Sequence, residues 1–140
     1  MKIDKIRVFE GRNIYSHKTC IKMYVDLEGY SEIPTKDIKN FNENLLKTIP
    51  ELNEHRCGID EDNGFRKRLY EGTYLAHVCE HIIIAIQNML GIDIAYGKSR
   101  EISGDKYYII YQYALKNTAV QVGKTAVDFV NALVNNERYD

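Results

Sequence analysis

The stretch Leu75-Ala76-His77-Val78-Cys79-Glu80-His81-Ile82-Ile83-Ile84-Ala85-Ile86 decides how this chain folds. From Ile82 to Ile86 the apolar residues cover all sides of a helix, so the helix is expected to be largely buried. It is predicted to start near Gly72-Thr73, with Thr73 as N-cap, and to run to Leu90, where Gly91 stops it. A helix of that kind needs a layer of other elements to bury it. The sequence on both sides supplies them.

Ile3 to Phe9 and Cys20 to Leu27 alternate apolar and polar residues and read as half-buried strands. Lys106 to Tyr113 (KYYIIYQY) has strong β composition. A helix is expected from Pro34-Thr35-Lys36 to Ile49, with Ile38, Phe41, Leu45 and Leu46 at helical spacing and Pro50 as its end. Asn117 is a candidate cap for a last helix whose apolar face carries Ala119, Val122, Ala126, Phe129, Val130 and Leu133. Leu52 to Arg68 reads as irregular, Ile92 to Tyr96 as a short strand, and Gly97 to Glu101 as a loop. The order β-β-α-α-β-α suggests an α+β sandwich, an antiparallel sheet with helices packed on one face.

A length of 140 residues fits one domain, 1–140, with a real core. The net charge of −1 gives no electrostatic case for nucleic acid or an anionic membrane. The three cysteines, Cys20, Cys57 and Cys79, are odd in number and lack C-x-x-C spacing, which suits a reducing cytoplasm rather than a disulfide framework. The N-terminus carries no signal-peptide pattern, and the longest apolar run is too short to span a bilayer.

Within the central helix, His77, Glu80 and His81 fall on one face, because residues three and four apart project together. Two imidazoles at i and i+4 can reach one metal ion, zinc being the usual choice. Glu80 can then act as general base. The order H-x-x-E-H inverts H-E-x-x-H and is the inverzincin pattern. Burying a carboxyl and two imidazoles without partners costs several kcal/mol, which weighs against a purely packing role. Cys79 faces the other way and reads as core. A third ligand must come from elsewhere, and spacing alone leaves Glu101, Gln112 and His55 open.

The segment from Gly64 to His81, with Gly64-Phe65, Arg68-Leu69, Glu71-Gly72-Thr73 and H-x-x-E-H, resembles the N-terminal domain of cyanophycin synthetases. Arg7-Val8, Asp26-Leu27-Glu28, Glu54-His55 with Cys57, Gly97-Lys98-Ser99-Arg100-Glu101 and Ile110-Tyr111-Gln112-Tyr113 extend the resemblance over nearly the whole chain. It implies a metallopeptidase-like two-layer sandwich. It also implies a domain that holds a poly-aspartate chain bearing arginine on each side chain. In many members of the family that domain cuts the polymer into primers. His77 and His81 match the family's metal positions and Glu80 its base. Gln112 stands where the family commonly has Glu, a plausible third ligand, and an amide is the poorer ligand, so zinc affinity and activity are expected to fall. The family's ATP-grasp and Mur-ligase-like domains find no counterpart in this sequence, and other synthetase domains or further copies of the chain are the implied partners.

Lys98 and Arg100 are candidates for gripping polymer carboxylates, and Tyr111 for hydrogen bonding to substrate. Asp60-Glu61-Asp62 is a candidate for pairing with arginine side chains, or a solvated acidic loop. Two functions follow: a metal-dependent hydrolase of the polymer, favoured by His77, Glu80 and His81, and a non-catalytic polymer-binding module, favoured by Gln112.

Overall fold

The computed structural model describes residues 1–57 and 63–139; Asp60-Glu61-Asp62 lies outside the described residues. Strands β1 (Lys2–Phe9), β2 (Cys20–Asp26), β3 (Gly97–Ser103) and β4 (Lys106–Gln112) form one antiparallel sheet in the order β1-β2-β4-β3. Helices α1 (Phe41–Thr48), α2 (Gly64–Glu71), α3 (Leu75–Met89) and α4 (Lys116–Val134) complete the order β-β-α-α-α-β-β-α. The predicted α+β sandwich is observed.

The register explains the layers. Ile21, Met23 and Val25 of β2 and Ile109 and Tyr111 of β4 alternate onto one face and join a single core with α3 and α4. Helix α3 packs on β3 and β4, and α4 packs on β1 and β2. The opposite face carries Lys22, Tyr24 and Tyr108 under Tyr15, with the Lys22 ammonium 4.4 Å from the centre of the Tyr108 ring and 2.7 Å from Tyr15 Oη.

Four local expectations are corrected. Residues 92–96 form an irregular connection, and the strand is instead Gly97–Ser103, read from sequence as a loop. It is an edge strand, mostly exposed, so its polar composition carries no burial penalty. The segment read as irregular runs into α2, which buries Gly64, Phe65 and Leu69 and otherwise exposes four charged residues and Tyr70. The first predicted helix is a 3-10 turn (Thr35–Asp37) and a separate α1, divided at Asn40, whose φ is +60°. Thr73 does not cap α3; Tyr74 occupies the N-cap without a side-chain bond.

Close packing between sheet and α4 hinges on Gly123. Tyr111 is fully buried, and its hydroxyl donates to the Ala119 carbonyl at 2.8 Å. A Cβ at Gly123 would stand 2.5 Å from that hydroxyl and 3.2 Å from Met23 Sδ. Gly123→Ala gains helix propensity but overpacks a held side chain. The expected net result is a loss of about 1–3 kcal/mol, read as a lower midpoint in thermal or urea unfolding.

A cleft with converging cysteine and histidine side chains

Helix α3 enters the core with its first turns beside the segment that follows the 3-10 turn Pro50–Glu54. His77, Glu80 and His81 share its face toward a cleft of about 930 Å³. The preceding segment contributes His55 and Cys57 to the same cleft. Nε2 of His81 lies 3.1 Å from Nε2 of His77, and Cys57 Sγ lies 3.3 Å from His77 Nε2. Three donor atoms, one from each of Cys57, His77 and His81, all fall within 4.8 Å of one another. Ligands on a tetrahedral zinc stand roughly 3.3–3.6 Å apart, given bonds of about 2.0–2.3 Å. The two separations from His77 Nε2, 3.1 and 3.3 Å, lie near that spacing and the third pair is within 4.8 Å, so one ion can draw on all three.

The rings are held from behind. Thr73 Oγ1 lies 2.8 Å from His77 Nδ1, and His55 Nδ1 lies 3.1 Å from His81 Nδ1. The tautomers that donate through these Nδ1–H groups leave both Nε2 lone pairs aimed at one point, the arrangement that outer partners impose on metal-binding histidines. Phe65 stacks on His81 with centroids 4.0 Å apart and meets the His77 ring edge-on. Helix α2, missed in the sequence, thus supplies the wall that fixes both imidazoles.

Burial sets the protonation. It pushes His77 down to about 4, with the nearby Arg68 charge adding to the effect. It pushes His81 down to about 2, helped by His77, His55 and Arg68. Both rings are neutral at pH 7, as ligands must be. Burial pushes the Cys57 thiol up, Arg68 pulling it back and Glu80 adding to the rise. A thiolate there needs a cation beside it, which a divalent ion supplies. Glu80 is raised to about 6 by burial, against a hydrogen bond to Ser99 and the charge of Arg100.

Glu80 is pinned between α3 and β3. A Cβ at Gly97 would stand 2.8 Å from Glu80 Cγ and 3.1 Å from Ile84 Cδ1. Only a residue without a side chain lets the strand pass so close.

Among the residues expected from sequence, His77, Glu80, His81, Lys98 and Arg100 line this cleft. Two others do not. Tyr111 points into the core, its hydroxyl spent on Ala119. Gln112 lies on the opposite face of the sheet, where its Nε2 donates to Ser16 Oγ at 2.9 Å. Strand alternation turns its side chain away from α3, which reaches only its main-chain carbonyl through Gln87 Nε2 at 3.2 Å, so the structure does not bring it to the histidines. Of the third ligands left open, His55 abuts His81 but on the Nδ1 side, whereas Cys57 stands at the Nε2 side. Cys57 enters the sequence reading only through the resemblance and not as a ligand candidate. The signal was a thiol two residues after a histidine in a polar segment. Cys79 is buried in the core, as expected.

The fold and the cleft define a class: a two-layer α+β domain whose central helix and the segment before α2 converge thiol, imidazole and carboxyl groups. The model of the cyanophycin synthase-like N-terminal domain matches residues 22–135. The chain is 34% identical over 142 residues to a cyanophycin synthetase of Geminocystis herdmanii, covering 99% of this chain and 16% of that protein. The figures are the same for a cyanophycin synthetase of Synechocystis sp.. A cyanophycin synthetase of Trichormus variabilis is 32% identical over 143 residues, with the same coverage. The chain belongs to the cyanophycin synthase-like N-terminal domain family. It spans about a sixth of the length of these curated relatives. No helix among the described residues is long and apolar enough to cross a membrane.

Proposed function

We propose that this chain is a metal-dependent hydrolytic domain that binds cyanophycin, poly-aspartate carrying arginine on its side chains, and cuts it into short primers. The observation that supports this reading best is the convergence of Cys57, His77 and His81 with Glu80 one turn along α3. Cys57, His77 and His81 would hold zinc or a similar divalent ion. When bound, such an ion supplies Lewis-acid chemistry for amide hydrolysis. Glu80 takes a proton from the attacking water at a carboxylate oxygen and returns it to the leaving amine. Thr73 and His55 keep the imidazoles in register, and Lys98 and Arg100 hold polymer carboxylates at the mouth of the cleft.

The test is metal content of the purified chain together with release of short oligomers from cyanophycin. One equivalent of zinc and cleavage that stops on chelation are expected. A chain that binds polymer but neither zinc nor cuts would leave the cleft as a binding module, the reading that Lys98 and Arg100 alone would support. A second expectation arises from Gly97. Gly97→Ala forces Glu80 aside by a fraction of an ångström or more, and cleavage should fall by about 10²-fold with metal content retained. Wild-type turnover by that variant would show that the position of Glu80 is unimportant.

A further inference from the structure

Strand β3 is one edge of the sheet and also borders the cleft. Side chains of a strand alternate between faces, so a cleft on one face meets every second residue. Here all the consecutive residues 95–100 line it. The cleft therefore runs along the main-chain edge of β3. The register gives the direction of its polar groups. Gln112 N–H donates to the Tyr96 carbonyl at 3.3 Å, and Lys98 and Arg100 stand opposite Ile110 and Tyr108. In an antiparallel ladder the main-chain groups of alternate residues point to the same neighbour. Those of Tyr96, Lys98 and Arg100 face β4, and those of Gly97 and Ser99 face outward. The Ser99 carbonyl accepts from the guanidinium of Arg100 itself at 2.8 Å.

We propose that β3 is the docking strand of the site: an extended, carboxylate-bearing polypeptide adds to the sheet as a fifth strand, hydrogen-bonded to the main chain of Gly97 and Ser99. The position follows from Gly97, whose close approach to Glu80 puts a strand paired there alongside the carboxyl and the imidazoles. The occupant follows from charge. Lys98 and Arg100 leave the strand on the face that carries Tyr108, the Arg100 guanidinium folding back to the outer edge at the Ser99 carbonyl, and Arg68 of α2 lines the cleft on the α3 side, so cations border the edge on both faces. An incoming N–H replaces the Arg100 guanidinium on the Ser99 carbonyl, and the released guanidinium pairs with a carboxylate of the bound chain. Main-chain pairing gives affinity and the flanking cations give selectivity, as in other strand-addition sites. The proposal rests on the reading above for the identity of the polymer.

The probe is a synthetic oligo-aspartate with arginine on each side chain, titrated calorimetrically into the Glu80→Gln chain. N-methylation of alternate main-chain amides removes the donors and is expected to weaken binding about tenfold, the worth of one or two hydrogen bonds. Ser99→Pro, read against Ser99→Ala so that loss of the hydroxyl bonded to residue 80 is common to both, removes an outward N–H without touching the ladder to β4, a substitution that an edge strand tolerates. The same loss is expected, with an unchanged circular dichroism spectrum. Equal binding of methylated and unmethylated oligomers overturns the proposal, as does a folded Ser99→Pro chain that binds normally, or no binding of the unmodified oligomer. Should Ser99→Pro not fold, the methylated oligomer decides alone. Binding is read in a chain chosen not to cut, so this failure is distinct from failure of the hydrolytic reading, which cleavage by the unsubstituted chain reports.

Discussion

Glu80→Gln is expected to lower cyanophycin cleavage by about 10²–10⁴-fold, the usual worth of a positioned general base, while zinc content stays at the wild-type level. The substitution is nearly isosteric and sits where space is tight: Glu80 is 8% exposed and lies against Gly97. The amide fills the same volume and can still bond to Ser99, so packing gives no reason for a fold change. What it loses is the capacity to accept a proton. The carboxyl is not one of the three converging donor atoms of Cys57, His77 and His81, so removing its charge should leave ion binding intact. That split separates a base from a ligand. Cleavage and zinc falling together would make Glu80 a ligand or a structural residue. Unchanged cleavage would remove it from the chemistry. Unfolding midpoints measured alongside keep a stability effect from passing as a catalytic one.

How much of this site the sequence disclosed depended on how locally each part is encoded. His77, Glu80 and His81 lie within one helical turn, so their shared face follows from helix periodicity alone. The alternating strands β1 and β2 are legible for the same reason, with a period of two in place of 3.6, and β4 by its run of β-branched and aromatic residues. The strand β3 was hidden because an exposed edge needs no apolar alternation, and GKSREIS shows none. Helix α2 was hidden because two buried side chains, Phe65 and Leu69, are too few to outline a face among charges. Register was the harder loss. Tyr111 and Gln112 are neighbours in a strand, and a strand sends neighbours to opposite faces. Which face meets α3 depends on the pairing Ile21↔Tyr111 and Cys20↔Gln112, a contact across some ninety residues of chain. It puts Tyr111 in the core and Gln112 beside Ser16, neither of them in the cleft. Cys57 enters by the same kind of long-range closure, through the 3-10 turn that lays its segment along α3.

That exchange of Gln112 for Cys57 carries the second large effect. Cys57→Ser is expected to lower zinc affinity by at least about 10²-fold, beyond the 10–100-fold typical of residues that only orient a ligand. Serine keeps the size but offers a hydroxyl, a far poorer donor to zinc than a thiolate. His55→Ala sets the scale for comparison: His55 touches His81 through Nδ1 and should cost about 10–100-fold by loosening the ring. Gln112→Glu, which the family pattern implies would restore a ligand, is expected to leave affinity unchanged. A carboxylate there points to the face of the sheet that carries Ser16, not to α3. Competition against a chromophoric chelator measures all three on one scale. The assignment fails if Gln112→Glu tightens zinc and Cys57→Ser leaves it alone, because a mobile strand register would then have to bring residue 112 across the sheet. It holds if the loss at Cys57 exceeds that at His55, since a thiol at 3.3 Å from His77 Nε2 can outweigh a ring that touches only the far side of His81 in one way: by binding the ion itself.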